Sequence, residues 1–176
     1  MLANIYLHSL DKYWQMRHNE WDTQMVRYCD DLVILIRNKD PKTYMESLKR
    51  MLSKLKLELS EEKTQVVSAE QGFNFLGVRM VLNASRRSKG KKFCYGFPTN
   101  KSMKELRNKI RREFGKDYQP SLSHKIEYLN PILRGWANYY NWLNSGVQFR
   151  KIDKYVTRKL NLWNRTKRDA KKRKYK

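Results

Sequence analysis

Apolar residues recur along this chain with two different periods, and the period changes midway. Ile5, Leu7/His8 and Tyr13/Trp14 space out as a helix face, which predicts a helix over residues 2–16 and a polar turn over 17–22. Two β-prone runs follow, 24–29 and 32–37, with Asp30-Asp31 between them, the pattern of a tight hairpin. Asp40-Pro41 is an N-cap and first-turn pair. It opens a helix whose Met45, Leu48, Met51, Leu52 and Leu55 form a stripe suited to lying on a sheet. Short strands are expected near Leu57–Leu59 and Gln65–Ser68, then a hairpin across Phe73–Leu82, a mobile basic loop over 83–92 and a last strand at Phe93–Phe97. After Pro98 the helical period takes over. Met103, Leu106, Ile110 and Phe114 mark one face of a first helix, and a second begins near Ser121. Asn130-Pro131 predicts a fresh helix carrying Ile132, Leu133, Trp136, Tyr139/Tyr140 and Leu143. A final one, through Phe149, Ile152, Val156 and Trp163, frays into a basic tail from Arg165.

These elements describe an α+β chain with four segments: 1–83 mixed strand and helix, 84–98 a basic linker with a short strand, 99–166 all helical, and 167–176 a tail. Charge sharpens the division. The 176 residues carry a formal net charge of +22, yet residues 1–83 hold 12 Lys+Arg against 11 Asp+Glu, and residues 84–176 hold 27 against 6. A helical half at +21 calls for a polyanionic partner, and nucleic acid is the commonest. No apolar run is long enough to span a bilayer, no signal peptide opens the chain, and no amphipathic anchor is evident. Cys29 and Cys94 provide neither a disulfide framework nor metal-ligand spacing, and read as reduced thiols of a cytoplasmic protein. His8, His18 and His124 are scattered, which argues against zinc or nuclease chemistry.

Adjacent carboxylates at a hairpin tip can face a divalent ion that bridges substrate phosphates, although Asp is also an ordinary turn residue. The surrounding sequence weighs for the first reading. LANIYLHSLDKYW (2–14), VRYCDDLVILI (26–36), LSEEKTQVV (59–67), GFNFLGVRM (72–80) and LNPILRGWANYYNW (129–142) occur in this order. Together they resemble the group II intron reverse transcriptases, which are polymerases and also splicing maturases. The resemblance covers nearly the whole chain, with Cys29 where alanine is usual. It implies the end of a polymerase palm, an antiparallel sheet with packed helices, followed by the helical thumb or maturase domain.

By that resemblance, Asp30 and Asp31 would hold catalytic Mg²⁺, and Lys63 would stand near the nucleotide phosphates, its alternative being a solvated lysine paired with a neighbouring Glu. Phe75, Leu76 and Gly77 would form the primer grip, Phe75 being equally suited to the core. A complete polymerase also needs a third metal-binding Asp and template-holding fingers. Neither Asp11, in a helical run, nor Asp22, in a polar turn, is a substitute, so metal binding by this chain alone is expected to be weak or absent. In the helical half, Lys101, Lys104, Arg107 and Arg111 share a period, and Arg134, Asn138 and Tyr139 combine phosphate donors with a stackable ring; these are the expected RNA contacts. Trp136, Tyr140 and Leu143 share a face and read as core. Lys171, Lys172, Arg173 and Lys174 belong to a disordered phosphate-binding arm. The expected role is to bind structured intron RNA and assist splicing, with primer–template or target DNA as further ligands. The alternatives are an enzyme half completed by an upstream reverse transcriptase fragment, or a non-functional remnant. The expected place is the bacterial-type cytoplasm, with an organelle left open.

Overall fold

In the computed structural model, residues 2–37, 39–85, 90–115 and 121–174 are described, with the side chains of residues 18 and 169–174 outside that set. The chain divides into two compact units, Met1–Ser68 and Ala69–Lys176.

The first unit packs three helices and a hairpin around aromatic and leucine side chains. Helices α1 (Leu2–Tyr6) and α2 (His8–Trp21) lead into strands β1 (Thr23–Tyr28) and β2 (Asp31–Ile36), and α3 (Pro41–Lys54) follows. The hairpin register pairs Met25 with Ile34 and Tyr28 with Asp31. Its alternate residues Met25, Leu32, Ile34 and Ile36 pack against a core of Leu7, Leu10, Trp14, Tyr44, Leu48 and Leu52. The expected polar turn at 17–22 is instead the last turn of α2. Trp21 holds it there, with its ring edge-on to Trp14 at 5.1 Å and to Tyr44 at 5.5 Å. Burying an indole against two rings outweighs the polar character of its neighbours.

Asp40 caps α3 as expected, its carboxylate accepting from Lys42 N at 3.1 Å. The strands expected at 57–59 and 65–68 are absent from the sheets formed by the described residues. Leu57 is used to end α3: its N–H reaches Leu52 O at 2.9 Å while Lys56, at φ +55°, bonds Ser53 O. This Schellman closure takes the donor that a strand would need. Val66 and Val67 are both exposed, and neither joins a sheet among the described residues.

In the second unit, β3 (Phe73–Phe75), β4 (Val78–Ala84) and β5 (Lys92–Pro98) form an antiparallel sheet in that order, followed by α4 (Asn100–Phe114), α5 (Leu122–Tyr140) and α6 (Gly146–Lys174). Thr99 and Ser121 cap α4 and α5 by accepting from Ser102 N and His124 N. The predicted face Met103, Leu106, Ile110 joins Leu129, Ile152 and Val156 in the core, with Phe114, Ile132, Leu133 and Trp136 packed against it. The expected mobile loop over 83–92 lies partly outside the described residues, at 86–89.

Two expectations for the helices change. Asn130-Pro131 does not start a helix, because α5 runs through Pro131. An internal proline costs roughly 3 kcal/mol. Leu129 on one side and Ile132, Leu133 and Trp136 on the other are all drawn to one core, and burial of about 1.5–3 kcal/mol per large side chain offsets the lost hydrogen bond. Helix α6 continues to Lys174 rather than fraying at Arg165, so the arm expected over 167–176 is helical as far as Lys174.

Candidate functional site

Strand alternation sends Thr23, Met25 and Arg27 to the inner side of β1, so one cation sits where the pattern asks for an apolar residue. The Arg27 side chain is only 9% exposed. Its Nε donates to Asp11 Oδ1 at 2.8 Å, its Nη2 to Asp11 Oδ2, and its Nη1 to Asn4 Oδ1 at 3.0 Å and to Cys29 O at 2.7 Å. The hydrogen bonds that the guanidinium donates to Asp11 raise its pKa more than burial lowers it. Arg27 therefore braces the carboxylate turn from beneath, at Cys29, whose φ of +55° is strained for a residue with a side chain. The sequence pattern alone does not single out Arg27. Its one signal is a charge in the apolar phase of a strand.

Asp30 closes the two-residue turn and Asp31 opens β2, and both are exposed. Asp11 is engaged by Arg27, in keeping with its helical position. Among the described residues no group of three His, Cys, Asp or Glu side chains could hold a metal ion. The donor set is thus two hard carboxylates on an open turn. Mg²⁺ commonly keeps several waters and binds through one or two carboxylates plus substrate phosphates, so this pair suits a magnesium ion shared with a nucleic acid better than an all-protein cage. Lys63, in the same unit, is exposed in a turn closed by its N–H and that of Thr64 on Ser60 O. Its neighbour Glu61 pairs with Lys49 at 3.6 Å.

The second unit holds the other candidates. Leu76 and Gly77, at φ +49° and +77°, form the two-residue turn between β3 and β4. Positive φ at both positions matches the right-handed twist of a hairpin. The turn is tied to the helices at three points. Tyr139 donates its hydroxyl to Leu76 O at 2.9 Å, Thr99 N–H donates to Gly77 O at 2.9 Å, and the Tyr140 hydroxyl lies 3.2 Å from the same oxygen. Ser102 Oγ joins the cluster, 2.8 Å from the Tyr140 hydroxyl and accepting from Trp136 Nε1 at 3.1 Å. Burial is the main reason that Tyr140 holds its proton more tightly than a free tyrosine. Phe75 is half-buried beside this turn. Tyr140 is core as expected. The Tyr139 hydroxyl is occupied by Leu76 O, and the residue is 49% exposed.

On α4, Lys101, Lys104 and Arg111 are exposed, while Arg107 is half-buried with its guanidinium 5.9 Å from the Tyr155 ring. Arg134 and Asn138 are exposed on α5. Lys171, Lys172, Arg173 and Lys174 lie on the helical end of α6, and their side chains fall outside the described set. One cation missed in the sequence is Lys125, fully buried, whose Nζ donates to Glu113 O at 2.6 Å and stands 5.6 Å from the Phe114 ring and 5.4 Å from the Trp163 ring. A cation on the closing carbonyls of α4 complements the negative end of that helix.

Comparison with known families follows the same order along the chain. Residues 1–80 match the family model for reverse transcriptase (RNA-dependent DNA polymerase), and residues 103–176 match that for the group II intron maturase-specific domain. A comparison with curated proteins found no match. The reverse transcriptase family generally works with Mg²⁺. Because a polymerase segment bearing the paired aspartates is succeeded on one chain by a maturase-specific domain, this chain belongs to the group II intron reverse transcriptase/maturase family, whose C-terminal part it represents.

Proposed function

We propose that the chain binds structured group II intron RNA through its second unit and assists splicing by holding that RNA in its folded form. The observation that carries this reading is the placement of charge. Residues 69–176 hold 28 Lys+Arg against 7 Asp+Glu, a net of +21, and residues 1–68 hold 11 against 10, a net of +1. Lys101, Lys104 and Arg111 lie exposed on the helix whose other face is buried through Met103, Leu106 and Ile110, so a rigid core presents a basic surface. Arg107, Arg134, Asn138 and the ring of Tyr139 extend the contact surface, and the cations at the end of α6 add sequence-independent attraction. Primer–template or target DNA is a further ligand for the same charge. Among the described residues no helix is long and apolar enough to cross a membrane. The proposed setting is the RNA-associated cytoplasm of a bacterial-type cell.

Filter binding to a group II intron and to an unrelated structured RNA of equal length, at two salt concentrations, tests the reading. Arg134→Lys keeps the charge but loses the planar fork. It is expected to weaken intron binding by about 1–2 kcal/mol and to leave the unrelated RNA nearly unaffected. Replacing Lys171, Lys172, Arg173 and Lys174 with Ala is expected to weaken both RNAs alike and to flatten the salt slope. Equal losses on both RNAs for both variants would leave a mere polycation.

A second reading rests on the braced carboxylate turn. In an enzyme completed by an upstream reverse transcriptase fragment, Asp30 and Asp31 would hold Mg²⁺, which supplies electrostatic stabilisation of charge at the transferring phosphoryl group. Arg27 would keep the turn in place, Lys63 would neutralise phosphate charge, and Phe75, Leu76 and Gly77 would support the primer end.

A further inference from the structure

Trp142, in the second unit, is exposed and lies outside the proposed contacts. It follows α5 and its C-cap Asn141, and it is 66% exposed. Its indole is nevertheless held in place, because Nε1 donates to Tyr139 O at 2.8 Å. That bond satisfies a carbonyl at the end of α5 together with the polar atom of the ring. Three residues earlier, the Tyr139 ring is 49% exposed and equally fixed, by its hydroxyl on Leu76 O and by edge-on packing against Tyr140 at 4.8 Å. Two exposed aromatic residues, one in the last turn of α5 and one just beyond its end, are thus held by their polar atoms. A ligand that stacks on them finds little side-chain freedom left to freeze.

Charge selects the class of ligand. From Tyr128 to Ile152 the chain has no Asp or Glu, while Arg134, Arg150 and Lys151 fall within this stretch. Arg150 folds back to the start of α6, with its Nε 3.4 Å from Gly146 O. An exposed aromatic surface in an acid-free segment of a +21 unit suits a planar, apolar group carried on a polyanion, which is an unpaired nucleotide.

Resting on the RNA-binding reading above, we infer that Trp142 and Tyr139 form a stacking site for unpaired bases of the bound RNA, alongside the Leu76-Gly77 turn. The site reads single-strandedness, whereas the basic surface of α4 reads phosphate charge.

The test uses the full chain with two probes of about a dozen nucleotides, a single-stranded RNA without self-complementarity and the blunt duplex of the same sequence. Trp142→Ala is expected to weaken the single strand about tenfold, with the duplex affinity and the salt slope of both unchanged. Trp142→Phe keeps a stacking ring and should retain single-strand affinity to within about twofold, while removing part of the fluorescence quenching caused by RNA. Because Trp142 is exposed, circular dichroism of both variants should match that of the unaltered chain. Equal weakening on both probes, or no weakening on either, overturns the inference and leaves general RNA binding standing. Failure of the unaltered chain to bind either probe overturns both. A change in self-association on sedimentation in place of RNA affinity makes the rings a protein contact, and that also overturns the inference.

Discussion

Single residues set the two hairpin turns, and they do so by opposite means. Arg27 holds the Cys29-Asp30 turn through a buried guanidinium, whose charge is balanced by Asp11. Tyr139 and Tyr140 hold the Leu76-Gly77 turn through neutral hydroxyls. Tyr140 lends itself to a pH test. Its folded pKa is raised above the ordinary value of 10.0, first by burial, with Ser102 acting in the opposite direction. A proton held more tightly in the folded state stabilises fully below about pH 10 and ceases to do so as pH climbs through the folded pKa. Tyr140→Phe is expected to cost about 1–2 kcal/mol at neutral pH, since Gly77 O keeps its bond from Thr99 N. In urea denaturation the gap between the two proteins should be constant up to about pH 10 and narrow above it. A gap unchanged into strong alkali would show that the hydroxyl does not stabilise this turn.

Elements here are stabilised less by their own propensities than by where they dock. The β3–β4 hairpin is short, and its turn is secured by α4 and α5. Gly77 shows how closely: a Cβ there would lie 2.9 Å from the Tyr140 hydroxyl, and the residue sits at φ +77°. Gly90 is an internal control, at φ +80° with nothing among the described residues within 4 Å of the place a Cβ would take. Backbone strain alone costs about 1–2 kcal/mol for an alanine in this region. Gly90→Ala should show only that loss. Gly77→Ala should lose more, by about a further 1 kcal/mol as the Tyr140 hydrogen bond is displaced, with faster amide exchange at Thr99. Equal losses at the two positions would mean that the turn and the helices are not coupled.

At the scale of the whole molecule, the excess charge and the paired aspartates lie in different units. The +21 charge belongs to residues 69–176, while Asp30, Asp31 and Lys63 belong to residues 1–68. The matched family segments end at 80 and resume at 103, whereas the compact units divide at 68/69, because β3 and β5 both pair with β4. RNA binding and polymerase chemistry should therefore separate in assays. The chain by itself is expected to bind RNA yet extend no primer, since the described residues provide two carboxylates on an open turn and no larger donor group. Primer extension on poly(rA)/oligo(dT) with Mg²⁺ checks this. Extension that disappears in the Asp30→Ala protein would refute it.

The sequence by itself determined what depends on near neighbours. Asp40 and Ser121 announce helix starts, the two β-prone runs mark β1 and β2, and the helical stripe on α4 separates core from basic surface; the turn expected at Asp30-Asp31 falls one residue earlier, at Cys29-Asp30, because Asp31 pairs with Tyr28. These signals act over a few residues and survive without the rest of the fold. Only tertiary structure decided the remainder. Arg27 meets Asp11 across 16 positions, and Tyr139 meets Leu76 across 63. Pro131 stays inside α5 because the core claims the residues on both sides of it, and Trp21 extends α2 because the rings of Tyr13, Trp14 and Tyr44 receive it. Contacts at such separations leave no periodic trace, since each depends on surfaces that exist only once both segments are buried together.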